Sequence, residues 1–297
     1  MSRAGHYLRA LRAFSLPLSI LPVLIATAAI APVGRWHWRA LLAAAATAAL
    51  LHLCGNLLND YFDFRRGVDR RTEADEGRPG RELVRGRLSP REVLAEALVC
   101  GVLACIPAAY LLWLRGPWLL APGAVGVVGL YAYTGPPLEL KYRAVGEALV
   151  FLVFGPALML GAAMAQTGRL EWAAAGLSMP VGMATAAVLV ANNLRDRQED
   201  RAAGIRTLAH VAGGRLSQWL FAGLVVGSAL LPAAAAALGN GPLWLAAAPL
   251  ALVAAVGPMQ AVLGGQRKPD IDTRVAAYAT VLMLILLAAH LLPAVRR

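Results

Sequence analysis

The chain has 297 residues, is 59% hydrophobic and 15% charged, and carries a formal net charge of +11. A water-soluble globular chain is roughly 45–50% apolar and about 25% charged, so this composition excludes one. No nucleic-acid-binding motif accompanies the positive charge, and basic residues have a different use in setting membrane orientation.

Nine apolar segments follow one another, at residues 14–33, 36–59, 91–113, 117–134, 145–166, 171–194, 215–238, 242–263 and 273–293. Each is near the ~20 residues that a helix needs to cross a hydrocarbon core of ~30 Å. The first follows Arg3, Arg9 and Arg12 and has full spanning length, so it reads as a membrane helix and not as a leader. Pro and Gly mark many of the gaps, as at Gly135-Pro-Pro137 and Gly239-Asn-Gly-Pro242. Pro107, Pro156, Pro180 and Pro249 fall inside segments and predict kinks. The pattern predicts an all-α, multi-pass membrane protein: one domain over residues 1–297, a bundle of nine transmembrane helices.

With the N-terminus placed inside, 22 of the 28 Lys and Arg fall on the cytoplasmic side. That asymmetry predicts a cytoplasmic N-terminus and puts the loops after the second and sixth segments on the same face. Sixteen of the 17 acidic residues fall on or near that face too, Glu171 being the exception. Acidic residues contribute little to orientation, so their concentration points to a site.

Two polar stretches carry it. The first is Asn56-Leu-Leu-Asn59-Asp60-Tyr-Phe-Asp63-Phe-Arg-Arg-Gly67-Val-Asp69. If the second helix continues past residue 59, Asn56, Asn59, Asp60 and Asp63 stand at i, i+3, i+4 and i+7 and share one face. Gly67 is the candidate terminator, and Asp69 then belongs to the loop. The second stretch is Asn192-Asn193-Leu-Arg195-Asp196-Arg-Gln-Glu-Asp200. Asn192, Asp196 and Asp200 form a stripe at i, i+4 and i+8, with Arg195, Arg197 and Arg201 beside it or turned away.

Charged residues at the end of a membrane helix are costly unless they serve a function. Clustered carboxylates repel one another and call for cations. Hard oxygen ligands suit Mg²⁺, which binds through few carboxylates together with waters and substrate phosphates. Asp60, Asp63, Asp196 and Asp200 are therefore the candidate catalytic Mg²⁺ ligands, with Asn56, Asn59, Asn192 and Asp69 in support. Asn192 and Asn193 have interhelical hydrogen bonding as an equal alternative. Lys141, one of two lysines, is the first candidate for a diphosphate, followed by Arg143, Arg12 and Arg206. Tyr61, Tyr131 and Tyr133 are candidates to line a cavity, with interfacial packing as the alternative. His52 reads as a hydrogen-bonded bundle residue, His210 has no assigned role, and Cys54, Cys100 and Cys105 read as small apolar fillers.

At these residues the chain resembles the UbiA family of intramembrane prenyltransferases. Asn59-Asp60-x-x-Asp63 with Asp69 is similar to the family's first aspartate-rich motif, and Asp196-x-x-x-Asp200 to its second. Leu83-Val84-x-Gly86-x-Leu88-Ser89-Pro90, Tyr133-Thr-Gly-Pro-Pro137 and Asp200-x-x-x-Gly204-x-Arg206-Thr-Leu-Ala209 resemble the branch acting on 1,4-dihydroxy-2-naphthoate in menaquinone biosynthesis. The resemblance implies a bundle around a central cavity, a cytoplasmic Mg²⁺ and diphosphate site, a lateral opening for a polyprenyl tail, and a place in the cell membrane. It implies transfer of a polyprenyl group from its diphosphate to an aromatic acceptor. Another aromatic acceptor, terpene cyclisation, or, in a different class, cation transport are the alternatives.

Overall fold

The structure, a computed structural model, describes residues 2–68 and 82–292. Twelve helices follow in order: α1 Arg3–Ala10, α2 Pro17–Ile30, α3 Trp38–Arg66, α4 Pro90–Arg115, α5 Leu120–Thr134, α6 Gly146–Thr167, α7 Trp172–Arg195, α8 Arg197–Ala202, α9 Leu208–Val211, α10 Gly214–Ala237, α11 Leu243–Leu263 and α12 Ile271–Leu291. No strand occurs among the described residues.

All nine expected apolar segments are helical; length and composition alone confirm fewer than nine spans among the described residues. By length and composition α3, α4, α6, α7, α10, α11 and α12 qualify, seven among the described residues. An eighth follows if Arg3–Ser15 and Pro17–Ile30, bent by 44°, are taken as one broken span. α5 has only 15 residues. Pro117 opens a separate 3₁₀ turn over Pro117–Leu119, and Gly135 closes the helix, so the segment expected at 117–134 is divided. The expected effect of proline appears at two positions. Pro156 sits in a five-residue π-helical stretch of α6, Val153–Ala157, and Pro249 in a 3₁₀ stretch of α11, Leu243–Ala251. Pro107 and Pro180 stay within regular α-helix.

Local chemistry sets the helix ends. Ser89 caps α4 in a reciprocal capping box: its Oγ accepts from the Glu92 amide at 3.3 Å, and Glu92 accepts from the Ser89 amide at 2.8 Å. Gly67, at φ 72°, ends α3 in the left-handed conformation that glycine adopts without a Cβ penalty.

The core is assembled from small residues. Ala26, Ala163, Ala184, Ala187, Ala248 and Ala279 are fully or nearly fully buried among Phe221, Tyr278, Met159 and Met283. Small side chains let helices approach closely where hydrocarbon outside offers no hydrophobic drive to pack. Apolar side chains also face outward: Val99, Val102, Leu103 and Ile106 form an exposed stripe on α4. Such a face is suited to lipid. Trp113, Trp118 and Trp172 are 74–80% exposed at the helix ends opposite Asp60 and Asp196, where indole rings anchor a membrane surface. This is a multi-pass membrane protein.

Candidate active site

α3 runs seven residues beyond the apolar segment, so its polar end is helical as the spacing predicts. The Val68 amide donates to Asp63 O at 2.9 Å and the Gly67 amide to Phe64 O at 3.1 Å, closing the helix just after the carboxylates. Asp60 and Asp63 are both buried. Asp60 is ion-paired with Arg12. Arg12 stands between α1 and α2 with left-handed backbone angles, φ 52° and ψ 44°, unusual for a residue with a side chain. Asn56 donates to Leu11 O at 3.1 Å and to Ser15 Oγ at 3.3 Å, tying α3 to the same junction. Asp69 lies outside the described residues.

The loop after α5 supplies the counter-charge. Lys141 Nζ lies 2.5 Å from Asp63 Oδ2 and 3.4 Å from Asn59 Oδ1. Tyr142 donates its hydroxyl to Asp63 Oδ1 at 2.5 Å. Burial and the adjacent Asp63 charge push the Tyr142 phenol far above its ordinary value, so it stays a donor. Of the four predicted diphosphate residues, Lys141 and Arg12 reach the carboxylates. Arg143 and Arg206 do not: both are exposed, and Arg143 donates to Pro137 O at 2.8 Å. A backbone bridge between these two residues joins their loops and turns the side chains to the rim.

The second stretch bends at Asp196, yet keeps its register. The Asp196 amide donates to Asn192 O and the Asp200 amide to Asp196 O, both at 2.9 Å, so the predicted stripe survives the break. Arg195 stands beside the stripe. Its side chain is only 7% exposed and it gathers the set: it grips Asp196 at 2.6 and 2.7 Å, pairs with Asp272 at 2.7 Å, and donates to Asn192 Oδ1 and Pro269 O. The contact with Asp272 is invisible in sequence order because it depends on the first turn of α12. Asn193 settles as the interhelical residue, donating to buried Glu147 of α6 at 2.7 Å. Asn192 stays with Arg195 and the cavity.

A cavity of about 670 Å³ opens beside both stretches. Arg12, Asn56, Asn59, Tyr133, Lys141, Asn192 and Asp272 line one part of it, and apolar side chains of α2 to α7 most of the rest. Tyr133 is at this wall, with Lys141 Nζ 5.9 Å from its ring centre. Tyr61 and Tyr131 are not. Tyr61 follows Asp60 by one residue, about 100° around the helix, and packs on Phe62 and the Leu57 cluster. Tyr131 precedes Tyr133 by two residues, so it points to the far side of α5 and is exposed.

The two stretches meet electrostatically. Asp200 is buried, and its carboxylate makes no hydrogen bond or ion pair among the described residues. Burial first, with the charges of Asp196, Asp63 and Glu199, raises its carboxyl to about 7, against the opposing pull of Lys141. No three His, Cys, Asp or Glu side chains stand close enough to cage a metal among the described residues. Arg12, Lys141 and Arg195 hold the carboxylates instead. An uncompensated buried carboxylate beside oxygen-rich neighbours fits a cation such as Mg²⁺, which takes one or two carboxylates and completes its shell with water and phosphate. Sequence reasoning missed Arg195, Asp272, Tyr142 and Glu147. Of these, Asp272 carried a signal, being an acid at the start of the last apolar segment.

The UbiA prenyltransferase family model matches residues 19–286. The chain is 37% identical to the 1,4-dihydroxy-2-naphthoate octaprenyltransferase of Mycobacterium tuberculosis, over 90% of each protein. It is 36% identical to the UbiA prenyltransferase domain-containing protein 1 homologue of Drosophila melanogaster, over 74% of this chain and 61% of that one. The fold is similar to that of a UbiA homologue from Archaeoglobus fulgidus bound to GPP and Mg²⁺, with TM-score 0.69 and 14% identity, covering 97% of this chain and all of the other.

Proposed function

The chain belongs to the UbiA prenyltransferase family and is a prenyltransferase; from this premise we propose that it transfers a polyprenyl group from its diphosphate to 1,4-dihydroxy-2-naphthoate, in the pathway to menaquinone. The observation that carries the reading is the meeting of Asp63, Lys141 and Asp200 beside an apolar cavity large enough for a prenyl chain. The likeness to a naphthoate enzyme over 90% of both chains favours this acceptor. Carboxylates at helix ends, and not at mid-membrane, speak against ion transport.

Asp60, Asp63, Asp196 and Asp200 would hold Mg²⁺, which when bound neutralises the departing diphosphate. Lys141 and Arg12 stand on Asp63 and Asp60, where each would be placed to donate to diphosphate oxygens. The apolar walls keep water from the allylic carbon as its bond to oxygen breaks. Tyr133 lines the same cavity, and its ring face would favour positive charge there. The electron-rich ring carbon of the acceptor then forms the new bond and gives up its proton or carboxyl group.

The clustering of 22 of the 28 basic residues supports a cytoplasmic N-terminus and active site in the cell membrane. The direct test incubates purified protein with Mg²⁺, polyprenyl diphosphates and a panel of aromatic acids, and identifies products by mass. Prenylation of a different acid, with 1,4-dihydroxy-2-naphthoate left untouched, would overturn the acceptor assignment.

A further inference from the structure

One polar group in the cavity is left over once the carboxylate end is accounted for. His52 lies on α3 eight residues before Asp60, about 12 Å deeper along the helix. Its Nε2 lies 2.8 Å from Ser15 Oγ, and its Nδ1 bonds Ser19 Oγ. His52, Ser15 and Ser19 all line the cavity. The other deep hydroxyls are spent on their own helices: Thr47 donates to Ala43 O at 2.8 Å and Thr185 to Val181 O at 3.0 Å.

The hydrogens in this group can be placed by elimination. Ser15 has one hydroxyl hydrogen, and it goes to Arg12 O at 2.9 Å. Asn56 must present its NH₂ to Leu11 O, which can only accept, and its second N–H then reaches Ser15 Oγ. Ser15 Oγ is therefore an acceptor toward His52, and Nε2 carries the ring proton. A neutral imidazole then offers Nδ1 as an acceptor, which takes the hydroxyl hydrogen of Ser19. Ser19 is itself buried at the cavity wall, and its Oγ keeps acceptor capacity beyond His52, its one side-chain partner among the described residues. A prenyl chain has no hydrogen to give it; a phenol does.

We propose that Ser19, oriented by His52, is the hydrogen-bond acceptor for a ring hydroxyl of the aromatic substrate, a subsite that rests on the prenyl-acceptor reading above. Ser19 touches the substrate; His52 and Ser15 are positioning residues. The same chain of bonds continues through Arg12 to Asp60, so the hydroxyl anchor and the diphosphate end share one scaffold.

The test is equilibrium binding of 1,4-dihydroxy-2-naphthoate and its two monohydroxy analogues, 1-hydroxy- and 4-hydroxy-2-naphthoate, to purified protein. One analogue is expected to bind the wild type ~10-fold more weakly than the dihydroxy acid, the loss of a buried hydrogen bond. Ser19→Ala is expected to bind the dihydroxy acid ~10-fold more weakly and to erase that preference, with geranylgeranyl diphosphate binding unchanged. Thr47→Val is the control and retains the preference. Equal weakening of all three acids and the diphosphate in Ser19→Ala would show a packing role and overturn the proposal, as would unchanged binding or no acid binding by the wild type. Product formation by the wild type, read by mass, scores the parent reading separately.

Discussion

Lys141 and Asp63 are 78 residues apart in sequence and 2.5 Å apart in space, and each is almost fully buried. A buried pair of this kind costs desolvation of both charges, so it adds little stability over an apolar pair, but breaking it strands one charge. Lys141→Met is therefore expected to destabilise the protein by ~3–5 kcal/mol, because Asp63 keeps only Tyr142 among its described partners. Asp63→Asn combined with Lys141→Met should recover most of that loss while prenyl transfer stays abolished. Thermal unfolding in detergent and product formation, measured on both variants, separate the two roles. Equal destabilisation by the single and double changes would contradict the pairing.

Metal binding should depend on the diphosphate. Arg12, Lys141 and Arg195 hold Asp60, Asp63 and Asp196, and among the described residues no three ligands are gathered. An incoming cation must displace these basic groups, and a diphosphate gives them somewhere to go. Calorimetric titration with Mg²⁺ is expected to show weak binding alone and at least ~10-fold tighter binding with inorganic diphosphate present, since the anion fills the metal's remaining positions. Equal affinity with and without diphosphate would mean that the carboxylates form a cage by themselves.

Much of this site is legible along the chain because it is helical and local. The face shared by Asn56, Asn59, Asp60 and Asp63 follows from a 3.6-residue period, and Gly67 ends the helix for a reason visible in its lack of a side chain. Lys141 stood out as one of two lysines. What the sequence hid are relations across helices. Arg195 becomes the centre of its set only because α12 delivers Asp272, and Arg12 outranks Arg143 only because the chain turns sharply before α2. The spans counted by length and composition among the described residues leave out α5, whose α-helical part has 15 residues after the 3₁₀ turn Pro117–Leu119.

The raised carboxyl of Asp200 predicts a pH dependence of metal binding. Its value near 7, well above that of an ordinary Asp, means that the metal-free fold favours the protonated form. The contribution of Asp200 to metal-free stability is accordingly expected to be greatest at low pH, to fall as pH rises from ~4 through about 7, and to level off above. A cation favours the ionised form, so below about 7 its binding releases a proton. Apparent Mg²⁺ affinity in the presence of diphosphate should increase by up to ~10-fold per pH unit up to about 7, then flatten. Asp200→Asn should remove this slope. A slope that persists in that variant would assign the proton to another group.

The contact between α6 and α7 gives a prediction about stability that reaches the site. A Cβ added at Gly155 would lie 2.6 Å from Ser178 O and 2.9 Å from Gly182 Cα, both backbone atoms that cannot rotate away. Gly155→Ala must therefore push the two helices apart, at a cost of ~1–3 kcal/mol for overpacking. Gly176, also on α7, has nothing within 4 Å of the same added atom. Gly176→Ala is expected to be neutral or to stabilise by up to ~1 kcal/mol through helix propensity. The separation would be felt eight residues before Gly155, where Glu147 of α6 accepts from Asn193 of α7 next to Asn192. Gly155→Ala should thus lower both the unfolding temperature in detergent and the rate of prenyl transfer, while Gly176→Ala leaves the rate alone. If Gly155→Ala were as stable and as active as the wild type, the close approach of α6 to α7 would not be what holds Glu147 against Asn193.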